Sequence, residues 1–149
     1  MNKYKYTYEE FYQDSEILSN QISTYKPDAL VAIARGGLTL GHFIASRLDI
    51  RNIFAINSIH YDNTQKLNTF EIFNIPDLST FSKVVIIDDI VDSGETMYEI
   101  LSVLKSKFPS CEFKIATIFY KPTALLSPDY SLKLADKWID FFWEFPTVK

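Results

Sequence analysis

Residues 84–97, VVIIDDIVDSGETM, carry the strongest structural signal in this chain. Four β-branched residues run directly into two adjacent acids, Asp88 and Asp89, a pattern typical of a buried strand that ends at a polar site. Residues 92–96 then open a helical pattern. Gly94 allows the positive φ of a tight turn, and the free backbone N–H groups at the start of a helix favour an anion such as phosphate. The run therefore predicts a strand, a ligand-binding turn and a helix.

The acidic pair needs an explanation of its own. Asp92 or Ser93 can simply cap the helix. A cap does not account for Asp88 and Asp89, whose carboxylates repel each other unless hydroxyl donors or a metal ion satisfy them. A sugar diol or Mg²⁺ would do so. The chain has no G-x-x-x-x-G-K-[ST] and no G-x-G-x-x-G motif. It therefore lacks the phosphate-binding motifs of P-loop and dinucleotide-binding proteins.

Strands and helices alternate on both sides of this stretch. This alternation predicts βαβ units and an α/β fold, with a parallel sheet covered by helices on both faces. Residues 61–69 are polar and aperiodic and predict an exposed loop. The predicted core strands are residues 28–34, 52–61, 83–88 and 113–121, with a small strand in 70–75, and the predicted helices are 7–25, 38–49 and 95–107.

Composition limits the class of protein. A length of 149 residues predicts one domain, residues 1–149. The formal charge of -4 and a pI near 5.1 argue against a nucleic-acid partner. The lone Cys111 fits a reducing compartment, no signal-like run opens the sequence, and no apolar run approaches the ~20 residues of a membrane span. We therefore expect a soluble cytoplasmic protein.

Three predicted strand ends carry unusual residues. Residues 35–37, Arg-Gly-Gly, follow the first core strand, residues 88–96 follow the third, and Lys121 follows the fourth. Ligands of open α/β sheets bind beyond the carboxyl ends of the strands, and parallel strands bring those ends to one edge. We expect one site built from three loops.

The stretch VVIIDDIVDSGETM resembles the ribose-phosphate signature of type I phosphoribosyltransferases. The resemblance implies that Asp88 and Asp89 face the ribose hydroxyls of phosphoribosyl pyrophosphate and bind Mg²⁺, while residues 92–96 hold the 5′-phosphate. ARGGL, residues 34–38, resembles the pyrophosphate loop of the same family, in which Arg35 supplies a cation. The residues implied to bind phosphoribosyl pyrophosphate are Arg35, Gly36, Gly37, Asp88, Asp89, Asp92, Ser93, Gly94, Glu95 and Thr96.

The C-terminal part resembles the base-recognition half of bacterial xanthine/guanine phosphoribosyltransferases, on ATIFYKP and WIDFFWE. It implies that Lys121 donates to a purine 6-oxo group, that Trp138 stacks on the base, and that the backbone around Ile139 receives the exocyclic amine. Asp92 is implied as general base near N7 and Arg35 as the second catalytic residue. The competing interpretation is a packed aromatic cluster at Trp138 and Trp143 and a solvated lysine.

The resemblance implies a type I phosphoribosyltransferase fold with a small hood from about residues 1–25 and 122–149. The implied activity is Mg²⁺-dependent purine salvage on guanine, xanthine or hypoxanthine, by a homodimer or homotetramer. A non-enzymatic nucleotide sensor on the same fold and an enzyme for another base are the alternatives. The chain departs from its relatives at His60, Glu95 and Phe142; His42 is interpreted as structural, and residues 61–69 correspond to the loop that closes over the reaction centre.

Overall fold

A six-stranded sheet forms the centre of the computed structural model, which describes residues 2–62 and 68–148. The strand order is β4-β3-β2-β5-β6-β7, in which only β4 runs antiparallel to its neighbour. The strands are β1 Lys3–Tyr6, β2 Ala29–Ala34, β3 Ile53–Asp62, β4 Asn68–Phe73, β5 Lys83–Val91, β6 Glu112–Tyr120, β7 Lys133–Leu134 and β8 Trp138–Phe141, and the helices are α1 Tyr8–Ser23, α2 Leu38–Leu48 and α3 Glu95–Lys107.

Helices cover both faces of the sheet, as the sequence predicts. Helices α1 and α2 pack on one face, against a core that includes Val85 and Ile87 of β5. Helix α3 packs on the other face, against Val84 and Ile86. Because the side chains of residues 84–87 enter opposite cores in turn, this part of β5 needs an apolar residue at every position, which explains its continuous β-branched run.

The sheet reverses its winding direction between β2 and β5. These strands are parallel neighbours, with Ala29 opposite Val84 and Ala32 opposite Ile87. After β2 the chain crosses through α2 to β3 on one side, and after β5 it crosses through α3 to β6 on the other. The carboxyl ends of β2 and β5 therefore border a topological switch point, the usual position of a ligand crevice in this architecture.

The two ends of the described chain form a second, two-stranded sheet. Strand β1 pairs in parallel with β8, so that Lys3 lies opposite Trp138 and Tyr6 opposite Phe141. The sequence analysis predicted neither strand, because four-residue strands offer too little alternation to recognise. Helix α1 follows at once, and the Thr7 hydroxyl accepts a hydrogen bond of 3.2 Å from the Glu10 amide, the predicted cap.

Two predicted boundaries were wrong. Strand β5 does not end at Asp88; it continues to Val91, so the acidic pair lies inside the strand and is held by pairing with β6. The predicted exposed loop at 61–69 is partly strand, since Tyr61 pairs with Thr69 in an antiparallel β3–β4 hairpin. Backbone pairing needs no apolar periodicity, so the polar sequence concealed it. Residues 63–67, the centre of the predicted closing loop, lie outside the described residues.

Among the described residues, no helix combines the length and the apolar character that a membrane crossing requires.

Candidate active site

The loop after β2 lies directly against the end of β5. A Cβ atom added at Gly37 would lie 2.3 Å from the Ile87 carbonyl oxygen, and one added at Gly36 would lie 2.6 Å from Asp89 Oδ2. A side chain at Gly37 would collide with backbone atoms, and one at Gly36 would require the Asp89 side chain to move. The glycines thus let residues 35–37 approach the acidic pair, and the Gly37 amide donates to the Ile33 carbonyl at 2.8 Å. Arg35 stands exposed at the start of this loop.

Asp88 and Asp89 are half-buried at the end of β5. Burial, followed by repulsion from Asp89, raises the pKa of Asp88 well above its usual range. Burial raises the pKa of Asp89 to about 6, and the negative charge of Glu144 acts in the same direction. No Lys or Arg side chain in residues 2–62 and 68–148 lies within 4.0 Å of either carboxylate. The pair is therefore suited to a cation or to hydroxyl donors.

The part of the chain that the structure describes contains no group of three or more His, Cys, Asp or Glu side chains able to enclose a metal ion. A divalent cation at Asp88 and Asp89 would need its other oxygen ligands from a substrate or from water. Mg²⁺ is commonly bound in this way, through one or two carboxylates together with substrate phosphates, so the two residues fit it.

Residues 92–96 form the turn that opens α3. Gly94 has φ +86°, and the Ser93 hydroxyl accepts a hydrogen bond of 3.3 Å from the Glu95 amide. Beside this turn lies a smaller cavity of about 120 Å³, whose lining includes Ser93, Gly94 and Thr96. The exposed Glu95 is not in that lining, although the sequence analysis grouped it with the other four. The Ser93 carbonyl also accepts a hydrogen bond of 2.8 Å from the Leu125 amide, which braces the turn.

A larger cavity of about 410 Å³ lies between the ends of β5 and β6 and the segment that leads into β8. Its lining contains Lys121, Trp138 and Ile139, the three residues predicted for base recognition. Trp138 is 63% exposed, whereas Ile139 is buried and packs in the core. The cavity is lined by both apolar and polar residues, and its volume lies within the range of small-molecule sites.

Asp92 connects the two cavities, since it lines both. Its Oδ1 atom lies 2.7 Å from the Lys121 ammonium, so the two predicted base-contacting groups pair with each other. Together with the contact between Gly36 and Asp89, this brings the three predicted strand ends into one continuous region. The three strand ends therefore lie together at one edge of the sheet, and that they form one functional site stays a prediction.

The sequence analysis missed part of the larger cavity. Ile90, Phe141 and Glu144 also line it. Ile90 stands between the acidic pair and Asp92, and the other two belong to WIDFFWE, so their proximity in sequence to predicted residues was the available signal.

The two tryptophans have different environments. Trp143 is packed: its ring stacks on Phe141 at 4.8 Å and 15° and meets Phe11 edge-on. The aromatic-cluster interpretation therefore holds for Trp143, whereas Trp138 borders the cavity. His60 and His42 are both exposed and line neither cavity, and His60 stacks on Phe70 at 4.5 Å.

Comparison with known proteins identifies relatives over nearly the whole chain. Residues 7–148 match the family described as "Phosphoribosyl transferase domain". The structure of the Helicobacter pylori xanthine-guanine-hypoxanthine phosphoribosyltransferase superposes with a TM-score of 0.89 and 40% identity, covering 96% of this chain and 94% of that one. A purine phosphoribosyltransferase from Pyrococcus horikoshii gives a TM-score of 0.85 at 30% identity, covering 100% and 99%. The xanthine-guanine phosphoribosyltransferase of Idiomarina loihiensis is 26% identical over 132 residues, 87% of this chain and 78% of that protein.

Proposed function

The chain belongs to the phosphoribosyl transferase domain family, and from this membership we propose that it is a purine salvage enzyme. The proposed reaction transfers the 5-phosphoribosyl group of phosphoribosyl pyrophosphate to a 6-oxopurine, guanine, xanthine or hypoxanthine, and yields the nucleoside monophosphate and diphosphate. The observation that carries the proposal is the pair of adjoining cavities that share Asp92 beside the acidic pair. The related proteins described above, named for purine or xanthine-guanine substrates, support the substrate class.

The smaller cavity is the proposed site of the 5′-phosphate. Backbone N–H groups at the start of α3, with the Ser93 and Thr96 hydroxyls, supply donors that need no lysine. Glu95 is exposed and does not line this cavity, so we exclude its carboxylate from phosphate contact and keep only its backbone N–H as a donor.

The ribose and the diphosphate are proposed to lie at the acidic pair and the Gly36–Gly37 loop. Asp88 and Asp89 accept hydrogen bonds from the ribose hydroxyls, while Arg35 and the two glycine amides bind the diphosphate. As the C1′–oxygen bond to diphosphate breaks, the ribose ring gains positive charge. The carboxylates then stabilise the transition state more than the ground state, which is the condition for catalysis.

Asp88 and Asp89 are also the proposed residues that bind Mg²⁺. When bound, Mg²⁺ neutralises the diphosphate and so makes it a better leaving group. The half-buried carboxylates, without a cationic side chain close by in residues 2–62 and 68–148, are consistent with this role.

The purine is proposed to enter the larger cavity between Asp92 and Lys121. Its 6-oxo oxygen accepts from Lys121, its N7 proton passes to Asp92, and the bond from N9 to C1′ forms as diphosphate leaves. The bound base thus takes the place of the 2.7 Å ion pair: Lys121 and Asp92 each contact the purine instead of each other. Trp138 covers one face of the ring, and backbone carbonyls near Ile139 receive the 2-amino group.

The second candidate is a nucleotide sensor without turnover on the same fold, or an enzyme for another nucleobase. Asp92 lines both cavities, where it is placed to act as the proposed general base. This favours an enzyme, because a sensor needs no general base. Three further statements stay predictions: that residues 1–149 form a single domain, that the protein is a homodimer or homotetramer, and that it is cytoplasmic.

The proposed function is tested by diphosphate release from phosphoribosyl pyrophosphate with guanine, xanthine, hypoxanthine or adenine, with and without Mg²⁺. We expect release with at least one 6-oxopurine, little with adenine, and none without the metal. The exposed variant Asp49→Asn, at the C-cap of α2, should behave as the unmutated protein does and controls for the preparation. Absence of release with all four bases would leave the sensor as the better interpretation.

A further inference from the structure

One wall of the larger cavity, residues 135–139, has backbone partners among the described residues only at its two ends: the Ala135 amide donates to the Tyr120 carbonyl at 2.9 Å, and Trp138 and Ile139 pair with β1. All five residues line the cavity; residues 135–137 connect β7 to β8, and Trp138 and Ile139 begin β8. Strand β7 contains two residues, and β8 pairs with β1 alone among the described strands. Strands this short and sheets of two strands are marginal by themselves. Side-chain contacts must therefore contribute to fixing this wall.

A polar cluster joins the wall to α1, and we call it the α1 cluster: Tyr4, Tyr6, Glu10, Asp14 and Lys133. The Lys133 ammonium lies 3.0 Å from Glu10 Oε2 and 3.2 Å from Asp14 Oδ2. The Tyr6 hydroxyl donates to the same Asp14 oxygen at 2.6 Å, and the Tyr4 hydroxyl donates to the same Glu10 oxygen. Each carboxylate thus accepts from Lys133 and from one tyrosine of β1.

The α1 cluster is partly buried, and its Lys133 and Glu10 side chains keep 30% and 33% of their surface accessible. Asp14 is 7% exposed, Tyr6 is fully buried, and the Lys133 ammonium lies 5.6 Å from the centre of the Tyr6 ring. Phe119 and Phe141 meet that ring edge-on at 5.1 and 6.0 Å. Burial opposes ionisation of Glu10, but hydrogen bonds from Tyr4 and Lys133 outweigh it and hold its pKa below the usual range. A partly buried network of this kind restricts the positions of its members.

Members of the α1 cluster lie next to both ends of the wall. Lys133 stands two residues before the wall begins. Tyr4 and Tyr6 lie on β1 opposite Ile139 and Phe141, where the wall ends. We propose that Lys133 is a positioning residue for the nucleobase site: through Glu10 and Asp14 of α1 it sets where residues 135–139 stand relative to Lys121 and Asp92. This inference rests on the proposed function, because it assigns the larger cavity to the base.

The test compares Lys133→Met with Lys83→Met. Lys83 matches it closely: it is also a strand lysine over a tyrosine ring, with its ammonium 5.2 Å from the centre of Tyr25, but it stands at the opposite end of β5 from the site. For Lys133→Met we expect the KM for the purine to rise by about fivefold or more, with the KM for phosphoribosyl pyrophosphate within about twofold of normal. Lys83→Met should change neither KM, and Lys133→Arg should restore most of the purine affinity.

Amide hydrogen exchange gives a readout that does not depend on activity. Lys133→Met should accelerate exchange in residues 134–141, and Lys83→Met should not. Faster exchange with an unchanged purine KM would reduce the α1 cluster to a purely structural role, and unchanged exchange would overturn the inference outright. Equal losses for both substrates would also contradict it. Inactivity of the unmutated protein with every base contradicts the proposed function instead, and exchange then decides alone whether Lys133 holds the wall.

Discussion

Asp92 is the residue on which the proposed chemistry converges, because both cavities reach it and Lys121 lies 2.7 Å away. We predict that Asp92→Asn lowers turnover by ~10²-fold or more, since an amide cannot accept the N7 proton. Binding of phosphoribosyl pyrophosphate, measured by calorimetry, should stay nearly unchanged. Asp49→Asn provides the matched exposed control. Normal turnover in Asp92→Asn would remove the residue from the role of general base.

Lys121 has the complementary task at the other side of the base. Lys121→Ala removes the donor to the 6-oxo group and leaves Asp92 without its ion-pair partner. We predict that the KM for guanine rises and that the preference for guanine over adenine falls by roughly tenfold. The 6-oxo group of guanine then has no donor in the site, which penalises guanine more than adenine. Steady-state kinetics with both bases measure this. Lys105→Ala, in the last turn of α3, is the control. An unaltered preference would show that another group reads the 6-position.

At the scale of elements, the sequence predicted those whose burial imposes a pattern. Residues 84–87 of β5 are all apolar because they face two cores in turn, and α3 buries Met97, Ile100 and Leu104 on one face, so both elements were recognisable. Strands β1 and β8 were not, because each is fixed by a partner more than a hundred residues away along the chain. The three loops of the site were predictable because each follows a recognisable strand. Glu144 follows β8, which was not recognised, so its position in the larger cavity was not predicted.

The loop after β2 gives a prediction at this scale. A Cβ at Gly37 meets the backbone carbonyl of Ile87, which cannot move without separating β2 from β5. A Cβ at Gly36 instead meets the carboxylate of Asp89, a side chain that can rotate. We therefore predict that Gly37→Ala lowers the free energy of unfolding by about 1–3 kcal/mol. Gly36→Ala should lower it less and should chiefly weaken binding of phosphoribosyl pyrophosphate. Urea unfolding and calorimetry separate the two effects, and equal unfolding losses would contradict the distinction.

At the scale of the whole molecule, α1 connects the two ends of the described chain to the site. The hydrogen bond from Lys133 to Glu10 spans 123 residues of sequence, and the β1–β8 sheet lies beside it. No local pattern can encode such a contact, although each partner is an ordinary charged residue in the sequence. The helix that the sequence analysis placed in a hood with residues 122–149 is therefore part of the proposed support of the larger cavity.

This arrangement predicts a specific dependence of stability on pH. The pKa of Glu10 is lower in the folded state than its ordinary value, because hydrogen bonds from Tyr4 and Lys133 favour the carboxylate against the cost of burial. A depressed pKa adds stability above the unfolded value of about 4.3 and loses it as the pH falls through the folded value. The free energy of unfolding of Glu10→Gln should therefore lie below that of the unmutated protein near neutral pH, and the difference should shrink in acid.

The control is Glu16→Gln, the same substitution on the same helix. Glu16 lies 3.5 Å from Arg47 in an ion pair, with 61% of its side chain accessible, and among the described residues it forms no ion pair or side-chain hydrogen bond with the α1 cluster. Exposed pairs contribute little, so Glu16→Gln should show a small and nearly pH-independent change. Urea unfolding of the three proteins from about pH 7 down to about pH 3 measures both differences. A gap between Glu10→Gln and the unmutated protein that stays constant over this range would mean that the stabilisation comes from packing of the side chain and not from the charge of Glu10.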